Sequence, residues 1–285
     1  MNAYFDIFSG ISGNMVLGAL VDLGLDLEKW KKELAKLGLE DEYNIETKKT
    51  DKHGIGGTYL QVKLVDHDHK HEKNHSQDHD HKHEHKHNHE HNHDHNHKEH
   101  NHSAGHGHSH GRNLADIRKI IDNSGLSESV KEKSKKIFLN LAKAEAKIHG
   151  SDINEIHFHE VGAVDAIVDI VGSVLGLEML GVDKIYASKL HIGTGFVECD
   201  HGKMPVPAPA TMELLSEIPI YSEGIEAEMV TPTGAAIIST LAEKFGPRDE
   251  MKIINSGYGA GTWDLPIPNL LRINLIEDTD EKKTQ

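Results

Sequence analysis

The sequence predicts an α/β or α+β protein, a mixed sheet with packed helices, interrupted by a disordered histidine-rich loop. Three observations carry that expectation. Short apolar runs of strand length alternate with longer runs of helical period. Nineteen of the 25 histidines fall between His67 and His110, a stretch with almost no apolar side chains. Setting aside 66–112 leaves two foldable blocks, 1–65 and 113–276, and a charged tail, 277–285.

In chain order, "AYFDIF" reads as a short buried strand that breaks at "SGISGN". The apolar run from Met15 to Leu23 is a helix ending near Gly24. In "DLEKWKKELAKLG", Leu27, Trp30, Leu34 and Leu37 recur at helical spacing. "YNIETKKT" and "TYLQVKLV" form a hairpin around "DKHGIGG", and the histidine tract leaves its second strand. That tract cannot bury enough apolar surface to offset chain entropy, so it is a loop and not a domain.

"NLADIRKIIDNSG" is a short helix. "SESVKEKSKKIFLNLAKAEAKIHG" is a long one, with Ile137, Leu141, Ala144 and Ile148 on one stripe. After "INEIHFHE", the run "VGAVDAIVDIVGSVLGLEML" is apolar nearly all round and is expected to be a central helix. "KIYASKLHIGTG" and "GFVECDHGKMPVPAP" read as strand, turn and extended segment. "PATMELLSEI" and "PTGAAIISTLAEKFG" read as helices, the second with Thr231 as N-cap and Pro232 in its first turn. "MKIINSGYGAG" and "NLLRINLIED" are closing strands.

A formal net charge of -15 argues against a nucleic-acid backbone as partner and suits a protein that attracts cations. One cysteine, Cys199, excludes an intramolecular disulfide and a cysteine-rich zinc module. "MNAYFDIF" lacks a signal-peptide pattern, and no run reaches the ~18 apolar residues of a membrane span. The expectation is a cytoplasmic protein with no membrane contact.

Four places carry chemistry. Every second residue from His81 to His97 is histidine: His81, His83, His85, His87, His89, His91, His93, His95 and His97. Neutral imidazole suits nickel, copper, zinc and cobalt, and this spacing in a flexible chain gives several exchangeable sites. Storage or delivery fits such ligands better than catalysis, which needs fixed geometry. The bland alternative is a solvated linker.

The second place is "IHFHEVGAVDAIVDIVG". If 156–159 is extended, His157 and His159 share a face, with Glu160 next in the chain. Asp165 and Asp169 lie four apart, on one face of a greasy helix. Buried carboxylates need a cation, donors or a polar cleft. Two imidazoles and three acids suit a first-row metal or acid–base work, with capping or ion-paired acids as the plain alternative.

The third place is "DIFSGISGNM", where a strand meets a Gly/Ser turn and a helix start. Asp6, Ser9, Gly10, Ser12 and Gly13 could cradle a phosphate there, although no Walker sequence follows. A tight turn needing small residues is the alternative. The fourth, "EAEMVTPTGAA", offers the hydroxyls of Thr231 and Thr233 to an anion, or simply a helix cap. His191, Cys199 and His201 are each open between ligand and ordinary loop or packing residue.

Together, "FDIFSGISGNM", "HFHEVGAVDAIVDIVG", "HGKMPVPAPAT" and "VTPTGAA" occur in the order seen in the LarC family, and the resemblance spans about Ala3 to Leu275. A histidine-rich insert after the early hairpin is also typical of it. The resemblance implies a nickel chelatase, or cyclometallase, of the lyase class, acting in maturation of the lactate racemase cofactor. It implies nickel insertion into pyridinium-3,5-bisthiocarboxylic acid mononucleotide, with CTP and manganese or magnesium.

On that reading His157, His159 and Glu160 are the core site, and Asp165 and Asp169 orient ligands or bind a second cation. Asn14 stands where family members commonly have aspartate; it keeps a carbonyl oxygen and loses the charge. The family's C-terminal nucleotide-binding domain is expected to be missing here, which calls for a C-terminal partner polypeptide. A homo-oligomer is a further possibility. The competing reading is a nickel storage protein or chaperone without catalysis, and a third is an unrelated metal hydrolase.

Overall fold

A computed structural model describes residues 1–65, 112–156, 158, 164–199, 202–247 and 250–277. The strands are β1 (Asn2–Asp6), β2 (Tyr43–Lys52), β3 (Ile55–Leu64), β4 (Lys184–Ala187), β5 (Leu190–His191), β6 (Phe196–Cys199), β7 (Gly202–Pro205), β8 (Ile220–Tyr221), β9 (Ala242–Phe245), β10 (Ile253–Ala260) and β11 (Leu270–Ile276). The helices are α1 (Gly13–Asp22), α2 (Leu27–Leu34), α3 (Leu114–Asn123), α4 (Glu128–His149), α5 (Val164–Met179), α6 (Pro209–Leu214) and α7 (Pro232–Leu241). The fold is mixed α/β. Among the described residues seven strands form one sheet in the order β2-β3-β10-β11-β1-β4-β9, beside the small pairs β5-β8 and β6-β7.

The sheet is mixed for a local reason. β1 runs parallel to β4 and antiparallel to β11, so it joins a parallel half to an antiparallel one. Its alternation sends Ala3 and Phe5 into the main core and Tyr4 to the other face, in a small cluster with Tyr186 and Ile276. α1 and α5 cover the core face. Twelve of the sixteen residues of α5 are buried, which is why its apolar residues run all round. The contacts advance together along the two helices, Gly13 with Asp169, Leu17 with Gly172 and Leu20 with Gly176, so they run parallel. Trp30 of α2 closes the layer, fully buried, with Nε1–H donating to the Gly172 carbonyl at 2.9 Å.

β3 and β10 pair only at Thr58 and Gly259, leaving a thin seam in the sheet. Asp22, the last residue of α1, stitches it. Its Oδ1 accepts from Thr58 Oγ1 (2.8 Å) and Lys49 Nζ (2.6 Å), and its Oδ2 from the Tyr258 N–H (2.9 Å). Burial alone would raise the Asp22 pKa; the donors outweigh it and hold the carboxyl below its ordinary value.

Several boundaries differ from the sequence reading. "AEKFG" does not continue α7: Ala242 turns extended (φ -76, ψ 132), and β9 adds to the edge of β4. The open parallel edge of β4 gives Ala242–Phe245 ladder partners in place of the intrahelical bonds of a further turn. The β2–β3 hairpin turns on two residues only, His53 and Gly54, both with positive φ, so its strands are longer than expected. α6 stops at Leu214, and Ile148 at the end of α4 is exposed while Ile137, Leu141 and Ala144 are buried.

Candidate functional site

β1 ends at Asp6, and the chain crosses to α1 through 7–12. Because β4 is parallel to β1, the segment after β4 emerges at the same end of the sheet. Hydrogen bonds join the two exits: the Ile7 N–H donates to Ser188 Oγ (2.8 Å) and the His191 N–H to the Ile7 carbonyl (3.2 Å). The start of α7 comes alongside, with the Ile11 N–H donating to the Met229 carbonyl (2.8 Å) and the Thr231 N–H to the Ile11 carbonyl (3.1 Å). Ligand sites of open α/β sheets commonly lie at such carboxyl ends.

Gly10 explains why this turn needs small residues. Its φ is +80, and a Cβ there would lie 1.9 Å from the Met229 carbonyl oxygen. Ser9 is fully buried, and its Oγ has no partner among the described residues. Ser12 precedes the first residue of α1 and donates from Oγ to Asn14 Oδ1 at 2.6 Å, so that carbonyl is already engaged by the hydroxyl. Thr231 Oγ1 accepts from the Gly234 N–H at 3.2 Å and caps α7 as its sequence suggested. Thr233 follows in the first turn, half-buried.

Gly13 touches the acidic pair. A Cβ on Gly13 would fall 2.3 Å from Asp169 Oδ2 and 2.6 Å from Asp169 Cβ. Asp169 keeps some exposure, but its Oδ1 is sealed from solvent with no hydrogen-bond partner among the described residues. Burial pushes the Asp169 carboxyl well above the usual carboxylate range, and the like charge of Asp165 adds to the push. Asp165, one turn earlier, receives the Ala166 N–H at 2.9 Å. The structure thus brings together the glycine turn, the α7 start and the α5 acids, segments separated by up to 220 residues.

His157, His159 and Glu160 lie outside the described residues, as do His81 to His97 and His201. The neighbours that are described, Ile156 and Phe158, are both buried, and the Phe158 ring lies 6.4 Å from that of Phe138. Among the described residues, no three His, Cys, Asp or Glu side chains gather as a metal site. His191 is committed elsewhere. Its Nδ1 donates to the Phe8 carbonyl (3.0 Å), its Nε2 accepts from the Glu223 N–H (3.0 Å), and its ring stacks on Tyr221 at 4.7 Å. The carbonyl can only accept, so the tautomer is fixed and neither nitrogen is left for a metal.

Asp6 has a partner that the sequence reading missed. Strand register sets Asp6, Arg272 and Tyr258 in one row on the face away from α1. Arg272 donates to Asp6 Oδ2 through Nε (3.1 Å) and Nη2, and its guanidinium lies 5.8 Å from the Phe8 ring centre. Burial opposes the charge of Arg272, but hydrogen bonds to Asp6 and Tyr258 raise its pKa. The available signal was a single cation inside the apolar strand "NLLRINLI".

These features define a class: an α/β protein whose candidate chemistry gathers at the carboxyl end of a mixed sheet, around a helix-borne acid pair, with a histidine tract inserted in the same chain. The chain belongs to the nickel insertion protein family, whose model matches residues 3–285. It is 48% identical over 284 residues to a "Pyridinium-3,5-bisthiocarboxylic acid mononucleotide nickel insertion protein" of Desulfitobacterium hafniense, covering 99% of this chain and 60% of that protein. It is 45% identical over 282 residues to a protein of the same name in Acetivibrio thermocellus, covering 98% and 61%. A "Putative nickel insertion protein" of Dictyoglomus thermophilum is 45% identical over 283 residues, covering 98% and 62%. The chain therefore spans about 60% of the length of these relatives. No solved structure matches it significantly. Among the described residues no helix is long and apolar enough to cross a membrane.

Proposed function

We propose that this chain handles nickel in its insertion into pyridinium-3,5-bisthiocarboxylic acid mononucleotide. The observation that carries the reading is the convergence of the glycine turn, the α7 start and the Asp165–Asp169 pair at one end of the sheet, in a member of this family. In this reading residues 66–112 are an insert that gathers Ni2+ on its alternating imidazoles, between core blocks 1–65 and 113–276. His157, His159 and Glu160 take the ion from the tract as substrate. Asp165 and Asp169 orient those ligands and supply negative charge where the cation arrives.

The turn at Ser9–Gly13 and the α7 start at Thr231–Thr233 seat the phosphate of the nucleotide, by backbone N–H donors rather than by a lysine. Asp6 acts there by holding Arg272. The reading further assigns the chain to the cyclometallases of the lyase class and to maturation of a lactate racemase cofactor in the cytoplasm. It makes the reaction dependent on CTP with manganese or magnesium, turned over with the help of a separate C-terminal polypeptide.

The test is insertion by the purified chain, given the sulfur-bearing pyridinium nucleotide, nickel, CTP and manganese, with product read by absorbance and mass. His157→Ala with His159→Ala, in a chain lacking 67–110, is the comparison. Product from the tract-less parent at saturating nickel and none from the folded double variant is expected. Nickel held only by the tract, with no nucleotide-dependent product even when the downstream polypeptide is added, would leave a storage protein instead.

A further inference from the structure

The β6–β7 hairpin stands apart from the main sheet and shows an unusual surface. Phe196 is 66% exposed, the most exposed large apolar side chain among the described residues. Register puts Phe196 opposite Pro205 and Glu198 opposite Lys203, so all four share one face; Val197 and Met204, on the other, are partly buried. On the shared face Lys203 Nζ lies 5.1 Å from the Phe196 ring centre. The open aromatic face is thus already held against a cation.

The hairpin is also anchored at the candidate site. The Val206 N–H donates to the Gly195 carbonyl (3.0 Å), and the Thr194 N–H to the Ile225 carbonyl (2.9 Å). Gly193 packs on the Ala227 carbonyl and the Met229 side chain, and the Met229 carbonyl in turn receives the Ile11 N–H. Phe196 therefore projects from a base that packs on the 225–229 segment, which is itself bonded to the glycine turn.

Resting on the function proposed above, we infer that Phe196 and Lys203 form the recognition surface for the pyridinium mononucleotide, the ring cation lying on Phe196 and Lys203 pairing with the substrate's anionic groups. The chemistry matches on both counts. A pyridinium is a flat cation, and it can replace the lysine ammonium on the same aromatic face with added stacking area. The displaced ammonium then meets a ligand that carries phosphate and acid groups. Glu198, opposite Lys203, favours the ring cation and keeps the face selective against a simple anion. Coverage of Phe196 by the ligand removes from water a large apolar ring that the described residues leave 66% exposed.

The test uses nicotinate mononucleotide, a pyridinium mononucleotide, and its 1,4-dihydro form, whose ring is uncharged. Binding to the full chain is measured by calorimetry. The parent is expected to prefer the oxidised form. Phe196→Leu is expected to weaken that form roughly 3- to 30-fold and the reduced form less, so that the preference narrows. Lys203→Met should weaken both forms alike. Phe196→Trp should retain the preference and add an indole–pyridinium charge-transfer absorption band, a signature that a merely structural residue would not give. Equal binding of both forms by Phe196→Leu and parent, or a bound oxidised ligand without the band in Phe196→Trp, would overturn the inference and leave the proposed function standing. No binding of either form by the parent would overturn the inference as well, while the proposed function would still be decided by the insertion assay.

Discussion

Asp169→Asn isolates the cost of keeping a carboxylate where the fold holds it. Among the described residues Oδ1 is sealed without a partner, Oδ2 lies against the Gly13 backbone, and burial with the neighbouring Asp165 raises the pKa well above its ordinary 3.8. In the unfolded chain the group titrates near that ordinary value. Between it and the raised folded value the native state binds more protons, so stability falls as pH rises through that window and stays reduced above it. An amide has nearly the same shape and carries no charge to desolvate. An unsatisfied buried polar atom costs about 1–3 kcal/mol, and more when charged. The metal-free Asp169→Asn chain should therefore be more stable than the parent by about 1–2 kcal/mol at neutral pH, the amide itself being imperfectly satisfied. For a chain of this size that is a rise in Tm of about 2–8 °C. Thermal and urea unfolding from pH 4 to pH 8 would show the two proteins diverging as pH rises. A gap independent of pH, or a variant less stable than the parent at pH 7, would refute the reasoning. Nickel insertion should fall in the same variant, the sign of a site kept at the expense of stability.

Gly13→Ala forces a methyl to within 2.3–2.7 Å of three Asp169 atoms, including its Cβ, so swinging the carboxylate cannot relieve it; a loss of about 1–3 kcal/mol in urea unfolding is expected. Adding Asp169→Gly should recover part of that loss beyond additivity, as a double-mutant cycle would show. Asp22→Ala removes the hydrogen bonds to Thr58 and Tyr258 on either side of the β3–β10 seam and the one to Lys49 of β2, and should cost about 2 kcal/mol at neutral pH. Because the folded pKa of Asp22 is lowered, its contribution is present above the ordinary 3.8 and disappears as pH falls through the folded value, so parent and variant should converge in acid-unfolding curves. Arg272→Met leaves Asp6 largely buried and unpaired, for a loss of about 1–3 kcal/mol, most of which Asp6→Asn should restore when the two are combined.

The elements that were legible in the sequence are those whose burial pattern is local. α5 declared itself because both of its flanks are covered, by α1 and α4 among others, and a helix buried all round must be apolar all round. α1 and the Thr231 cap were legible for similar local reasons: an apolar run after small turn residues, and a hydroxyl three residues before an N–H it can satisfy. β9 was not legible, because "AEKF" has no strand pattern of its own; an edge strand takes its conformation from the neighbour it pairs with. The two-residue turn at His53–Gly54 was masked by further glycines at 56 and 57, which invite a longer loop.

The candidate site divides along the same line. Asp165 and Asp169 could be placed on one helix face from spacing alone, since four residues make about one turn. What lay beyond local spacing was the other wall. That the pair would meet Gly13, and that Asp6 would meet Arg272, depends on which strands neighbour β1 and in which direction they run. Both follow from one topological fact. β1 is the seam where the parallel strands β4 and β9 meet the antiparallel strand β11. Its carboxyl end therefore sits beside the end of one neighbour and the beginning of the other. The glycine turn leaves from that seam, so it is flanked by the exit of β4 on one side and by Arg272 near the start of β11 on the other. α1 must then turn back over the core face, which sets Gly13 against α5 and fixes Asp169 at the turn. The glycine turn, the Asp6–Arg272 pair and the buried Asp169 carboxylate lie at one end of the sheet, on its two faces, because the sheet changes direction at β1, and no shorter stretch of sequence contains that information.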